Sequence, residues 1–279
     1  MDKVWELYEK LLDILQNEPD LKTYQEINIL HNKLSDYINL FGERNLGDLK
    51  DSVAFLQNAD SSNTSSFGQC GDSVYWKIID KVLFIGGSGP MWNFNNSALG
   101  YKSNYTYSPW FNAYFNTVII HNGVTTIGSE AFFGAEISSV IIPSSIKRIE
   151  ELAFFDARIE KLVLPNTIET VEEGILCGFH RVVDTLVVSA DIADIKPYAF
   201  FNRDDIIANN VYLTGSLPDN LTKLIESCLF DGVDDYQIYY PKEWDTEDKC
   251  LFETLSKEFA DCDDAFLVNL KKALVPYII

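Results

Sequence analysis

The residues most able to do chemistry in this sequence are Cys177 and His180, close together in the stretch CGFH. A thiolate beside an imidazole can attack a carbonyl or fill half of a metal site. Cys177, however, aligns with Phe133, Phe155 and Phe201 in the repeat described below, and a free cysteine packs as a small hydrophobe. A packing role is therefore the expectation. His31 falls near the apolar side of a helical pattern and His121 just after a strand pattern, so the three histidines close no ligand set. Asp234-Asp235 and the group Asp261, Asp263 and Asp264 offer hard carboxylate oxygens, but the glycine and the distal glutamate of a calcium loop are absent. Solvated acidic turns are expected there. Gly86-Gly87-Ser88-Gly89 follows a strand pattern, yet it lacks the Lys-Ser/Thr pair of a phosphate loop and Pro90 removes an amide, so it reads as a turn. No catalytic residue, cofactor or metal is expected.

What remains is a chain built to position apolar residues. It has 279 residues, 47% of them hydrophobic and 23% charged, a globular composition. The net charge of −20 divides unevenly, with 6 basic against 12 acidic residues over 1–60, 8 against 11 over 61–183, and 8 against 19 over 184–279. Such a field repels phosphate backbones and anionic membranes, and fits a basic partner or simple solubility. Direct nucleic-acid binding is thus not expected. The five cysteines are an odd set with no CxxC pair, which fits reduced thiols rather than a disulfide framework. MDKVWELYEKLLDILQ carries acids among its apolar residues and lacks the basic start and uninterrupted apolar core of a signal peptide. No stretch approaches the roughly 20 apolar residues of a membrane span. Cytoplasmic location is the expectation, and export the alternative if a leader precedes this sequence.

Along the chain, Val4, Leu7, Tyr8, Leu11, Leu12 and Leu15 recur at intervals of three and four, as one side of a helix does. Leu21, Tyr24, Ile27, Leu30, Leu34, Tyr37, Ile38 and Phe41 repeat the pattern after Pro19-Asp20. Residues 1–57 are expected to form a helical module, and the polar, Ser-rich stretch over 58–67 a linker. VYWKI and VLFI, joined by three polar residues, predict a β-hairpin at the head of a cap over 68–115. In the tail, 243–279, the spacing of Leu251, Leu255 and Phe259 and of Phe266, Leu267, Leu270 and Leu274 predicts two short helices closing the open end of the core.

Between them, over 116–242, one apolar skeleton is written repeatedly. Its first pair is Val118 and Ile120, then Val140 and Ile142, Leu162 and Leu164, Leu186 and Val188, Val211 and Leu213, and finally Ile238 and Tyr240; the spacings are 22, 22, 24, 25 and 27. A second pair and a third element, such as Ala131-Phe132 and Ala153-Phe154, follow in the first four units. A period in the low twenties with one short strand per unit predicts a leucine-rich-repeat solenoid, whose coils bury their apolar sides only by stacking. VIIPSSIKRIEELAF and VIIHNGVTTIGSEAF, together with the segment CGDSVYWKI through LFIGGSGPMWNF to SPWFN, resemble the BspA-like leucine-rich repeats of bacteria and the cap that precedes them. QIYYPKEW resembles the strand that closes them. The resemblance covers residues 68–242 and implies a parallel β-stack with a protein-binding or adhesive role, without cofactor or catalytic residues. The expected class is α+β, a BspA-type solenoid with a helical N-terminal domain and a short helical C-terminal cap.

Side chains alternate across a strand, so the residue between each inward pair points to the opposite face. These residues are Ile119, Ile141, Val163, Val187, Tyr212 and Tyr239, and all six are apolar or aromatic. A merely solvated sheet would mix in Thr, Lys and Glu. An exposed apolar strip marks an interaction site; alternatively, the helical module folds back over it. The resulting expectation is a non-catalytic protein-interaction module whose partner is a protein, by charge a basic one, with self-association through the strip as a further option. A cytoplasmic neutralising or immunity protein, or an inhibitor, is the specific form of this reading, and an exported adhesin its alternative.

Overall fold

A computed structural model describes residues 67–79, 81–94, 107–178, 183–202, 207–217, 221–231, 236–245, 250–262 and 264–277. The helical patterns over 1–57, with His31, and His180, Asp234, Asp235 and Asp263 lie outside the described residues.

The hairpin expected from VYWKI and VLFI is present, as β2 (Val74–Ile79) antiparallel to β3 (Val82–Gly87), with β1 (Phe67–Gln69) on its outer side. From β3 onward the main sheet is parallel. It continues through β5 (Tyr114–Ile120), β7 (Glu136–Ile141), β9 (Arg158–Leu164), β11 (Val183–Ser189), β13 (Asn210–Thr214) and β14 (Gln237–Pro241). A second, narrower sheet stacks β4 (Gly89–Pro90), β6 (Val124–Ile127), β8 (Arg148–Ile149), β10 (Thr170–Val171) and β12 (Asp194–Ile195) in parallel. Each coil thus has a long-strand side, a short-strand side and a turn side. The strands end for a local reason: Pro143 and Pro165 follow β7 and β9, offer no amide to continue a ladder, and accept hydrogen bonds from Ile146 (3.1 Å) and Ile168 (3.2 Å) in the turns they begin.

The repeated skeleton holds register exchange for exchange. Val118 pairs with Val140, Val140 with Leu162, Leu162 with Leu186, Leu186 with Val211 and Val211 with Ile238. All of them point inward and are at most 4% exposed. The turn side adds its own ladder, with the Phe132 amide donating to Ala153 O (2.8 Å), Phe154 to Ile175 O (3.0 Å) and Phe200 to Ser227 O (2.9 Å). Phe132 and Phe154 stack at 5.3 Å between ring centroids and 10° between planes, both fully buried. Each such side chain contributes about 1.5–3 kcal/mol by leaving water, which only the neighbouring coils make available.

The turn side also repeats a backbone conformation that its letters conceal. Glu130, Leu152, Gly174 and Tyr198 occupy equivalent places with φ of 52°, 57°, 62° and 61°. Only one of the four is glycine, so the others carry left-handed strain that stacking holds in place.

The tail differs from its expectation in one element. Helices α2 (Leu251–Glu258) and α3 (Asp264–Ala273) are present, following a short helix α1 (Thr222–Glu226), and Leu251, Leu255 and Leu270 bury into the core. The chain then re-enters the main sheet as β15 (Leu274–Tyr277), parallel to β14, so the strand of QIYYP is followed by another. Residue 276 is proline, and a proline is accommodated because β15 is the edge strand.

Candidate binding face

The six residues expected between the inward pairs do form one row on the outer side of the main sheet. Ile119 pairs with Ile141, Val163 with Val187, Val187 with Tyr212 and Tyr212 with Tyr239. Register extends the row at both ends, since Phe84 of β3 pairs with Ile119 and Val275 of β15 with Tyr239. Phe84 was legible as the middle letter of the inward pair Leu83 and Ile85; Val275 was hidden in a tail patterned as helix. Alongside runs a polar row, Thr117, Ser139, Lys161, Thr185, Asn210 and Gln237, two residues earlier on each strand and in continuous register.

The row is not exposed as the sequence led one to expect. Ile119, Ile141 and Val187 are 3%, 4% and 4% exposed, and Val163, Tyr212 and Tyr239 are half-buried. The sheet itself separates these three buried residues from the core cluster, to which none of them belongs. On the same face, Lys77, paired with Phe84, keeps 3% exposure and Thr117 keeps 5%.

The two ends differ in chemistry. At the β3 end, the His121 ring stacks on Phe84 at 6.1 Å and 19°. The residue as a whole is half-buried, but burial of its ring pushes the imidazole from 6.5 down to about 4. It is neutral at physiological pH. At the β15 end lies an aromatic cluster in which Tyr212 and Tyr239 stack at 4.5 Å and 11°, with Tyr277 edge-on to Tyr212 at 6.3 Å and 63°. The Tyr277 hydroxyl donates to Leu213 O at 2.7 Å. Burial, then Glu243 and Tyr212, push its phenol up to about 12. The phenol of Tyr212 is raised too, by burial first and by Tyr239 second. Tyr212 and Tyr277 are therefore protonated at neutral pH, suited to recognition rather than to proton transfer.

The other residues with chemical potential are not gathered here. Cys177 is buried at the place its alignment with Phe155 indicated, and burial pushes the Cys70 thiol up to about 12, far from a reactive thiolate. Asp261 and Asp264 are exposed at the head of α3. Among the described residues no group of three or more His, Cys, Asp or Glu is placed to hold a metal ion, and no helix is long and apolar enough to cross a membrane. Charges on the outside pair across neighbouring coils, Arg148 with Glu172 and Arg158 with Glu136 (3.2 Å), and within a coil, Arg148 with Glu150 (2.8 Å) and Lys196 with Asp194 (2.7 Å). Such solvent-screened pairs contribute little each to stability.

Residues 105–234 match the BspA type leucine-rich repeat region in 6 copies. Among solved structures, a leucine-rich repeat protein from Eubacterium ventriosum ATCC 27560 is similar at 16% identity with a TM-score of 0.38. That match covers 55% of this chain and 45% of the other, so the chain spans less than half of that protein's length. No curated protein matches the chain.

Proposed function

We propose that the chain, whose residues 105–234 match the BspA type leucine-rich repeat region, binds another protein, as such repeats generally do, and that it does so through the outer face of its long-strand sheet. The observation that carries this reading is the unbroken row from Phe84 to Val275, apolar or aromatic at every strand on the side away from the core. A polar row flanks it, so the face has the apolar centre and polar margin of an interface. Recognition centres on Tyr212, Tyr239 and Tyr277. The stacked pair Tyr212 and Tyr239 offers a large rigid surface at small entropic cost, with hydroxyls able to bond a partner, and Tyr277, tied to Leu213 O, braces it edge-on.

Repeats of this family are typically non-catalytic. The proposed mechanism is preorganised shape recognition by a rigid parallel sheet, and a net charge of −20 would speed encounter with a basic protein. Neutralisation of a basic enzyme, with carboxylates meeting its phosphate-binding surface, is the specific form of this proposal. The test is capture of partners from native lysate on the immobilised chain, compared with a Tyr212→Ala/Tyr239→Ala variant. Loss of about a hundredfold in affinity with the melting temperature retained supports the reading. Undiminished capture by the variant moves the binding site to another face.

A further inference from the structure

Three successive coils leave the long-strand side through the same turn, in which the fourth residue's amide donates to the first residue's carbonyl: Val124 to His121 (3.4 Å), Ile146 to Pro143 (3.1 Å) and Ile168 to Pro165 (3.2 Å). Register makes Asn122, Ser144 and Asn166 the second residues of these turns and Gly123, Ser145 and Thr167 the third. Of the third residues Gly123 alone has a positive φ, 108°. A Cβ there would also stand 2.4 Å from Gly87 O, so the first turn admits only glycine. Asparagine precedes it, and no other Asn-Gly pair occurs in the chain. Asparagine is labile where the next amide nitrogen reaches its side-chain carbonyl carbon, and glycine sets no side chain in the way. We propose that Asn122 is a site of spontaneous deamidation to isoaspartate, and that the stacking of neighbouring coils on Gly123 sets its rate.

The Gly123 nitrogen gives its proton to hydroxide and attacks Asn122 Cγ. A C–N bond forms, the Cγ–Nδ2 bond breaks, and Nδ2 leaves as ammonia with a proton taken from water. Water then opens the succinimide ring. Addition at Cγ breaks the new bond and yields aspartate; addition at the main-chain carbonyl carbon breaks the original peptide bond and yields isoaspartate. The net change is amide plus water to carboxylate plus ammonium.

In the folded chain both ends of the Gly123 unit are held. Its N–H donates to Ser145 Oγ of the next coil (3.1 Å), whose hydroxyl donates in turn to Val124 O (2.7 Å), and its carbonyl accepts from Gly89 of the entry cap (2.9 Å). An amide held in this way neither loses its proton freely nor rotates toward the Asn122 side chain, so reaction waits on local opening. Asn166 supplies the contrast. It occupies the equivalent place two coils on and is exposed, but Thr167 follows it, and a β-branched side chain crowds the attacking nitrogen. The product falls where it matters. Isoaspartate adds a methylene to the main chain between His121, whose amide donates to Ile85 O (2.8 Å), and Gly123, which holds Gly89. Both bonds join the entry cap to the first coil, so modification loosens that join and adds a negative charge beside His121.

Deamidation at 122 lies outside the proposed function, and no partner enters its test. The purified full chain is incubated at neutral and at mildly alkaline pH, with and without urea, and residues 122 and 166 are followed by peptide mapping, with methyl transfer by an isoaspartyl methyltransferase confirming the linkage. Isoaspartate is expected at 122 well ahead of 166, slowly in the folded chain, faster at the higher pH and fastest in urea. Ser145→Ala frees the Gly123 amide and should speed the folded-state reaction about fivefold, the factor that corresponds to one net hydrogen bond. Ser145→Thr keeps a hydroxyl, as Thr167 does one coil on, and should restore the slow rate. No isoaspartate at 122 in either the folded chain or Ser145→Ala overturns the proposal, as do equal rates at 122 and 166. Equal rates at 122 with and without urea overturn the control by stacking, and that comparison needs no variant, so it decides even where Ser145→Ala does not fold.

Discussion

Phe154 and Phe155 are adjacent, chemically identical and expected to differ sharply when truncated. Phe154 is fully buried on the turn side, stacked on Phe132 at 5.3 Å, and its amide donates to Ile175 O in the next coil. Phe155 is half-buried and leans on Phe133 at 5.1 Å and 40°. Phe154→Ala therefore removes a complete core side chain at a site hemmed by backbone hydrogen bonds to both neighbouring coils, which limits collapse around the void. The cost is about 3–5 kcal/mol, including about 0.5–1.5 kcal/mol for the ring stack. Phe155→Ala loses part of one side chain's burial and a tilted ring contact, about 1–2 kcal/mol. In a repeat array a central loss also weakens both adjoining interfaces, so hydrogen exchange should rise first in β7, β9 and β11. Urea unfolding of the three proteins measures the difference. Equal midpoints for the two variants would refute the inward and outward assignment of the third element, and a Phe154→Ala cost below 1 kcal/mol would show that the coils do not depend on stacked rings.

Three further outcomes follow from the geometry. Gly128→Ala should destabilise by about 1–3 kcal/mol, because a Cβ there would stand 2.0 Å from the Trp92 carbonyl oxygen, a backbone atom that cannot swing away; thermal melting checks it. Tyr198→Asn should raise the melting temperature, since Tyr198 is 60% exposed at φ 61° and asparagine adopts that conformation more readily, a gain of about 1 kcal/mol; a lower melting temperature would mean that Tyr198 packs on something. The Tyr277 phenol is held protonated in the fold, so its contribution is complete below pH 10 and is lost as pH rises from 10 toward 12; Tyr277→Phe, at a cost of about 1 kcal/mol for the hydrogen bond to Leu213, should flatten that alkaline decline.

The parts of the fold that repeat were readable, because equivalent residues touch equivalent residues and stacking enforces the same letters. Val118, Val140 and Leu162 are legible for that reason, and the outer row between them follows from strand alternation alone. The hairpin was readable from its β-branched and aromatic runs. β15 was not: Leu270 and Leu274 continue a helical interval, and Pro276 argues against a strand anywhere but at an edge, which is a tertiary fact. The left-handed turns at Leu152 and Tyr198 carry no glycine to announce them. Exposure of the row was misjudged for a similar reason. Alternation tells which way Ile119 points, but how much water reaches it depends on what lies above the sheet.

A coil that pairs equally well with its like on either side contains no instruction to stop, so the number of coils must be written at the ends. One end is the antiparallel hairpin with its three-residue outer strand, and the other is β15 with Pro276 and the helices that seal the core. Among the described residues neither end offers a long parallel edge to a second molecule, a feature that opposes growth of the stack into a fibre. The interior is correspondingly modular. Joining Ile137 directly to Glu160 would delete one 22-residue unit while bringing Val163 into the place of Ile141 beside Ile119, because Ile137 and Ile159 already occupy the same register. The chain can therefore change the length of its face in steps of about 4.8 Å without redesigning either terminus, and the size of the surface it offers is a separate variable from the ends that keep it finite.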